Sequence, residues 1–475
     1  MSPLSTQTLF YHQAANNYGG NYLSVDGGVV WSDNVLGAEG GASDTLLLLG
    51  LSGDVSGEGG RSDYHLSTNL AFLKYLSGSF PTRPVGFLDG LVAFKIMPEF
   101  ISWIARATYS QAQINIYAPA SPQNLVSLSY ITTGPRFKVR PTLRTSVQLD
   151  ALYSYLNTSS YSYVNPSSGS FQYTNFDNHR YGGNLTIDRA FSDIAKLYLK
   201  AEYEKVEFKD TVNNNNFSIA TAEGGYNLSD ARTVLDLAGG YSRLSVYDVL
   251  TTVDSIAGER ETLKTEEFKE PTWKVSLSRL ITPTQRLGLH ASQQFIDAAA
   301  AFRLGFDQPA PTIAPPLLGT GDAYLQRYYA VDWHIQGART GLGISLAKLT
   351  SHYLITTTNA NDSDMKIANA ALTRQLSPVL KGDLVLSYER VNQIGTLAPG
   401  VTAQSSTGHG LIADLQWQVG AHLGVRFLYA YSSWGGVATN QVGVIASWAF
   451  ITPQANTAQA LPALSPISPV STLAH

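Results

Sequence analysis

A chain of 475 residues, 44% hydrophobic and only 14% charged, with a net charge of −4 and no cysteine, excludes a disulfide-stapled scaffold. It also lacks the basic stripe of a nucleic-acid footprint. Mean hydropathy is −0.06, and the best apolar run, Leu46-Leu47-Leu48-Leu49-Gly50-Leu51, falls far short of the ~18 residues of a membrane helix. No change in composition divides the chain. One domain is expected over residues 21–450, preceded by a disordered or lumen-facing lead-in at 1–20 and followed by a Pro/Ala/Ser-rich tail at 451–475.

The first strand is expected at Tyr22–Trp31, ending at Asp33-Asn34. Strands then follow at Asp44–Asp54, Tyr64–Leu76, Val85–Lys95, Phe100–Ser110 and Leu125–Val139, the last running into an Arg140-Pro141-Thr142 turn. From there the pattern is regular, a strand, a tight turn and a strand followed by a longer polar link. Tight turns are read at Ser192-Asp193-Ile194, Ser229-Asp230-Ala231-Arg232, Thr282-Pro283-Thr284-Gln285, Ala338-Arg339-Thr340, Ser377-Pro378-Val379 and Gly420-Ala421-His422, where Pro presets φ and Ser, Asp or Thr bonds back to the backbone. The long links fall near 157–178, 209–215, 246–270, 298–326, 357–364, 394–407 and 434–440. Strict alternation of short turns and long loops, repeated over about 20 strands (about 18 as the fallback), marks an all-β, single, antiparallel up-and-down transmembrane β-barrel with periplasmic turns and extracellular loops.

The rising strands separate their faces by parity. Ser146, Gln148, Asp150 and Ser154 alternate with Val147, Leu149, Ala151 and Tyr153, and Gly424 and Arg426 alternate with Val425, Phe427 and Tyr429. No helix layer is available to cover so many apolar faces, so these face lipid and the polar faces line a lumen. Lumen-lining candidates are Arg106, Arg144, Asp150, Arg180, Asp188, Lys200, Glu202, Glu204, Asp236, Lys274, Arg286, Asp332, Asp383, Glu389, Asp414 and Arg426. They either pair across strands and stiffen the wall or set solute preference, and their mixed signs argue against strong ion selectivity. His290 and His334 fall on inward faces as hydrated polar groups. Barrels of this size enclose an aqueous channel unless plugged. The Pro-rich 298–326 link is read as an outer loop, with folding into the mouth as the alternative.

These hairpins, the Asp33-Asn34 pair, Gly134-Pro135-Arg136-Phe137 before the Arg140-Pro141-Thr142 turn, and the aromatic last strand resemble the β-barrel porin family of Gram-negative outer membranes. Some members of that family are associated with exopolysaccharide export systems. The resemblance implies a porin-like channel for hydrophilic solutes or polysaccharide, located in the outer membrane and in contact with its lipid. The alternatives are a blocked barrel acting structurally or adhesively through its loops, and an outer-membrane enzyme. Trp448 and Phe450 resemble the aromatic end signal read by the barrel-assembly machinery, although the tail continues beyond them. The aromatic loop Tyr161-Ser162-Tyr163, with Phe171, Tyr173 and Phe176, is a candidate sugar surface or, equally, a packed cap.

No catalytic residues, metal site or cofactor are expected. Ser345 and Lys348 match an S-x-x-K spacing that needs a helix to bring its members to one face. An exported chain is expected to open on a basic and then an apolar segment; here the first Lys or Arg is Arg61, and no secretory signal is visible.

Overall fold

The computed structural model describes residues 21–113, 116–119, 121–158, 163–165, 169–171, 176–210, 215–253, 260–297, 300, 321–354, 362–394 and 404–451. The strands are β1 (Tyr22–Ser32), β2 (Asp44–Glu58), β3 (Ser62–Tyr75), β4 (Arg83–Met97), β5 (Ile101–Gln113), β6 (Leu125–Thr142) and β7 (Thr145–Thr158). A small ribbon, β8 (Tyr163–Asn165) with β9 (Gly169–Phe171), follows. The wall resumes with β10 (Asn178–Ala190), β11 (Ala195–Phe208), β12 (Phe217–Ser229), β13 (Thr233–Val253), β14 (Arg260–Thr282), β15 (Gln285–Ile296) and β16 (Tyr324–Gln336). It ends with β17 (Thr340–Tyr353), β18 (Ser363–Ser377), β19 (Leu380–Gln393), β20 (Ser405–Gln418), β21 (Leu423–Trp434) and β22 (Val437–Ile451). Each wall strand pairs antiparallel with its neighbours in sequence, β7 pairs β10, and β22 returns to β1, closing a 20-stranded sheet. At the seam, the Asn440 backbone and side-chain amides donate to Asp33 at 2.7 and 2.6 Å, and Asn34 Nδ2 donates to the Ala438 carbonyl at 3.2 Å. The Asp33-Asn34 pair therefore clamps the outward end of the closure.

Parity sets the two faces as expected. On β22, Val442, Val444, Trp448 and Phe450 lie on the outer surface, while Gly443 and Ile445 are buried inside. On β19, Leu384, Leu386 and Tyr388 face out, while Asp383 and Glu389 face in. A wall this apolar on its exposed side is stable only against lipid, where a closed sheet leaves no backbone group unpaired. Tyr153, Tyr181, Tyr203, Tyr388 and Tyr429 ring its outward edge, and Trp103, Trp333, Trp417 and Trp448 ring the opposite one, the aromatic girdles of a membrane-spanning barrel.

Five of the periplasmic turns share one device. The side chains of Thr142, Ser192, Asp230, Thr282 and Ser377 each accept the backbone N–H two residues on. Asp230 also accepts the Thr233 N–H, and these two bonds lower its carboxyl pKa.

Several boundaries differ from the sequence reading, four of them for a physical reason that the structure shows. Strand β6 runs through Arg140-Pro141-Thr142 past a register shift, because Pro is tolerated beside a bulge, and the turn is Leu143-Arg144. The expected 246–270 link is largely ladder, since pairing resumes beyond a bulge at Val246/Val249 and places Arg260–Glu270 in β14. The 434–440 link shrinks to Gly435-Gly436, whose φ values of 57° and 90° suit a two-residue primed turn. Strand β22 extends to Ile451. The 1–20 lead-in and the tail beyond Ile451 lie outside the described residues.

Adjacent positions on β10 test the two faces. Leu185→Arg, on the lipid side, is expected to destabilise the folded barrel by about 2–4 kcal/mol. Asn184→Arg, placed between Asp150 and Glu202 inside, should stay within about 0.5 kcal/mol of the wild type. Denaturant titrations in lipid vesicles compare them, and equal costs would refute the assigned phase.

Candidate functional site

In the half of the lumen nearer the tight turns, inward side chains form a belt of ion pairs. Arg106 holds Asp89 with two bonds at 2.8 and 3.0 Å, and Arg136 holds Asp150 at 2.7 and 2.9 Å. Lys200 Nζ lies 2.6 Å from Glu202 and 4.0 Å from Glu223. Asp236, wholly buried, accepts from Lys274 Nζ at 2.8 Å and from the Tyr198 hydroxyl at 3.0 Å. Asp188 faces Lys196 at 3.8 Å. Asp383 and Asp414 sit directly opposite each other on β19 and β20, a repulsive placement relieved by Lys381 at 3.4 Å from Asp383 and by Arg426 on Asp414. Most are cross-strand or diagonal pairs fixed by register, while Lys200–Glu202 and Lys381–Asp383 join alternate residues of one strand, so the belt is both a rigid frame and a polar lining.

His290 Nε2 and His334 Nε2 each lie 3.3 Å from Asp332, and Ser276 Oγ lies 3.0 Å from His290 Nδ1. Gly288 makes this possible: a Cβ there would meet Asp332 Oδ1 at 2.0 Å. Ser276, His290 and Asp332 are the residue types of a hydrolytic triad, with Ser276 buried at 2% exposure. Among the described residues no group of three or more His, Asp or Glu is placed to hold a metal.

Above the belt the lining changes. Leu128, Leu156, Val206, Phe217 and Leu244 are buried on the inward faces of β6 to β13, and Val30, Leu46, Leu73 and Val85 do the same on β1 to β4. Leu349, Met365, Ile367 and Val391 continue this apolar collar over β17 to β19. The polar lining expected from parity is therefore continuous only in the lower half, where its charges are buried in pairs. A buried apolar lining needs a covering, and loop residues supply it. Ile116 and Tyr117, between β5 and β6, pack against the β17–β19 part of the collar, and Trp434 Nε1 on β21 donates to the Tyr117 carbonyl at 2.9 Å. From the other side, Arg180 on β10 bonds both oxygens of Asp297, just past β15, and also reaches Glu204 at 3.3 Å. Asp322, before β16, accepts from Asn215 Nδ2 at 3.2 Å. Both ends of the 298–326 link are thus drawn inward, in line with the folded-in alternative, although most of that link lies outside the described residues.

The predicted residues are placed as follows. All but one of the lumen candidates face inward on wall strands; Arg144 is the exception, exposed in the β6–β7 turn because that turn lies two residues later than read. Arg286 is inward and half-buried, and among the described residues its Nε has no hydrogen-bond partner. Glu389 is 2% exposed within the upper lumen. Trp448 and Phe450 lie on the lipid face. Ser345 points inward and Lys348 outward, as strand geometry requires. Asp89, Arg136 and Glu223 were missed, yet the same parity count carried along β4, β6 and β12 finds them. Asp297 follows no strand period, and only the fold reveals it. Of the aromatic loop set, Phe176 is buried in the collar, whereas the side chains of Tyr161, Tyr163, Phe171 and Tyr173 lie outside the described residues.

No protein-family model matches the chain, and no curated protein matches it significantly. Among solved structures, the apoprotein form of the FrpB iron transporter from Neisseria meningitidis is 9% identical with a TM-score of 0.49, covering 92% of this chain and 82% of that one. The copper transporter OprC is 11% identical with a TM-score of 0.47, with the same coverages of 92% and 82%. The ferric-catecholate import receptor Fiu from E. coli is 9% identical with a TM-score of 0.47, covering 90% and 82%.

Burial, with the Asp362 charge adding to it, pushes the Tyr117 phenol up to about 12. Its folded pKa lies above that of a free tyrosine, so the contact is at full strength below about pH 10 and is lost as pH rises through about 12. Denaturant titrations over that range should show the wild type losing stability with rising pH relative to Tyr117→Phe, which keeps the carbonyl bonded by Trp434; parallel profiles would contradict a buried Tyr117 phenol.

Proposed function

We propose that this chain is an outer-membrane conduit for hydrophilic solutes, with a charged vestibule toward the periplasm and an outward mouth closed by its own loops. The observation that carries the reading is the pair of bonds reaching from wall to loop across the lumen, Arg180 to Asp297 and Trp434 to Tyr117. A 20-stranded wall encloses more space than its own side chains fill, and the loops take up that space at the mouth. Opening breaks a handful of loop contacts and leaves the belt intact, so a solute entering from either side meets fixed charges of both signs. Selectivity by charge is weak on this account, and passage is controlled by the collar.

Export of an exopolysaccharide is the narrower version of the reading. An extended polysaccharide requires the β5–β6 and β15–β16 segments to swing clear together, after which the vestibule's paired charges offer it hydrogen bonds along its length. Assembly in the membrane would use Trp448 and Phe450 as the end signal for the barrel-assembly machinery.

In planar bilayers the wild type should show small or infrequent conductance steps with weak ion preference. Arg180→Met strands the buried Asp297 carboxylate, a change worth about 3–5 kcal/mol against the closed arrangement, and should raise open time more than tenfold. The double variant Arg180→Met/Asp297→Leu should recover most of the closure. If all three stay equally silent while folded and inserted, the barrel is blocked and acts through its loops.

A further inference from the structure

The outer wall carries one charge pattern that lumen chemistry does not use. Lys348, Lys366 and Arg390 face outward and are direct cross-strand partners on β17, β18 and β19, Lys348 opposite Lys366 and Lys366 opposite Arg390. Arg327 on β16 stands one row further out, opposite Thr350. Like charges at such positions approach to about 5 Å between Cβ atoms and repel. A single acid, Asp364, serves both lysines, at 3.3 and 4.0 Å. Arg390 donates only to Asn392 Oδ1, at 3.2 Å, and has no acidic partner among the described residues. Of the other outward cations, Lys205 has Glu207 at 2.6 Å, and Arg243 has Glu267 with Lys269 directly opposite, a cross-strand row of two cations rather than three.

The position of the row selects the missing anion. One row closer to the membrane centre the outward residues are Leu346, Ala368 and Tyr388, so the cations sit directly on the rim of the apolar band, with Tyr329 beside Lys348. An anion there has its charged group against the cations and apolar matter beneath it. We propose that Lys348, Lys366 and Arg390 bind the phosphate of a phosphorylated lipid headgroup in the outward leaflet, whose acyl chains lie against Leu346 and its neighbours. This rests on the membrane-barrel fold and is independent of the transport reading.

The test uses the delipidated full chain in detergent, titrated with diphosphorylated lipid A and read by native mass spectrometry. The triple variant K348Q/K366Q/R390Q should bind about 100-fold more weakly, about fivefold per cation removed, while K205Q binds as the wild type does. Inorganic phosphate at equal concentration should leave the lipid bound. Unchanged affinity in the triple variant, or displacement of the lipid by inorganic phosphate, overturns the proposal. Should the triple variant fail to fold, K366Q and R390Q alone should each weaken binding about fivefold, and unchanged affinity in both overturns it equally.

Discussion

Lipid offers no hydrogen bonds, and that one fact governs the whole molecule. A sheet with an edge in hydrocarbon leaves a row of unpaired N–H and C=O groups, each costing several kcal/mol, so the first and last wall strands must find each other. Here they pair from Leu23 with Ile451 to Ser32 with Gln441. The Asp33 and Asn34 side chains then tie the seam where it leaves the membrane. Closure fixes the register of every strand, and register decides which side chains meet inside. The Arg106–Asp89 and Arg136–Asp150 pairs, and the Asp332 carboxylate between two imidazoles, are consequences of it.

Closure also creates a problem that the chain must solve internally. A ring of twenty strands is too wide for its own side chains to fill. The lower half lines itself with charges that pair with one another. The upper half is apolar, and an apolar wall facing water would be unfavourable by roughly 25 cal/mol for each Å² left uncovered. Loop segments, seen at Ile116, Tyr117, Asp297 and Asp322, fold back to cover it. Arg180 and Trp434 then hold these segments by a few polar bonds.

Parity made much of this legible in the sequence. Any strand long enough to show two clear polar/apolar repeats yields its inward set directly, and Asp150, Lys200, Asp236 and Arg426 were found that way. The turns were legible wherever Ser, Thr, Asp or Pro dictates the bend. What escaped has physical reasons. Arg144 was placed on the wall because Pro141 looked like a turn, although a bulge lets proline stay in the ladder. Strands β13 and β14 continue past the membrane through charged residues, which read as loop by composition. The collar was hidden because its inward residues are apolar and differ from lipid-facing ones only in phase, near strand ends where the period is shortest. Asp297 owes its role to a contact with a strand 117 residues away, and no local pattern encodes that.

The account depends above all on the assignment of alternating residues to lipid and lumen, and the absence of cysteine from the chain allows it to be read directly. Single cysteines placed at each position from Gly382 to Tyr388 on β19, labelled with a fluorophore in reconstituted vesicles, are quenched either by brominated lipid or by a water-soluble quencher. Lipid quenching at 382, 384, 386 and 388, alternating with aqueous quenching or full protection at 383, 385 and 387, is the predicted result. Quenching without a period of two, or with the opposite phase, would contradict the barrel as described.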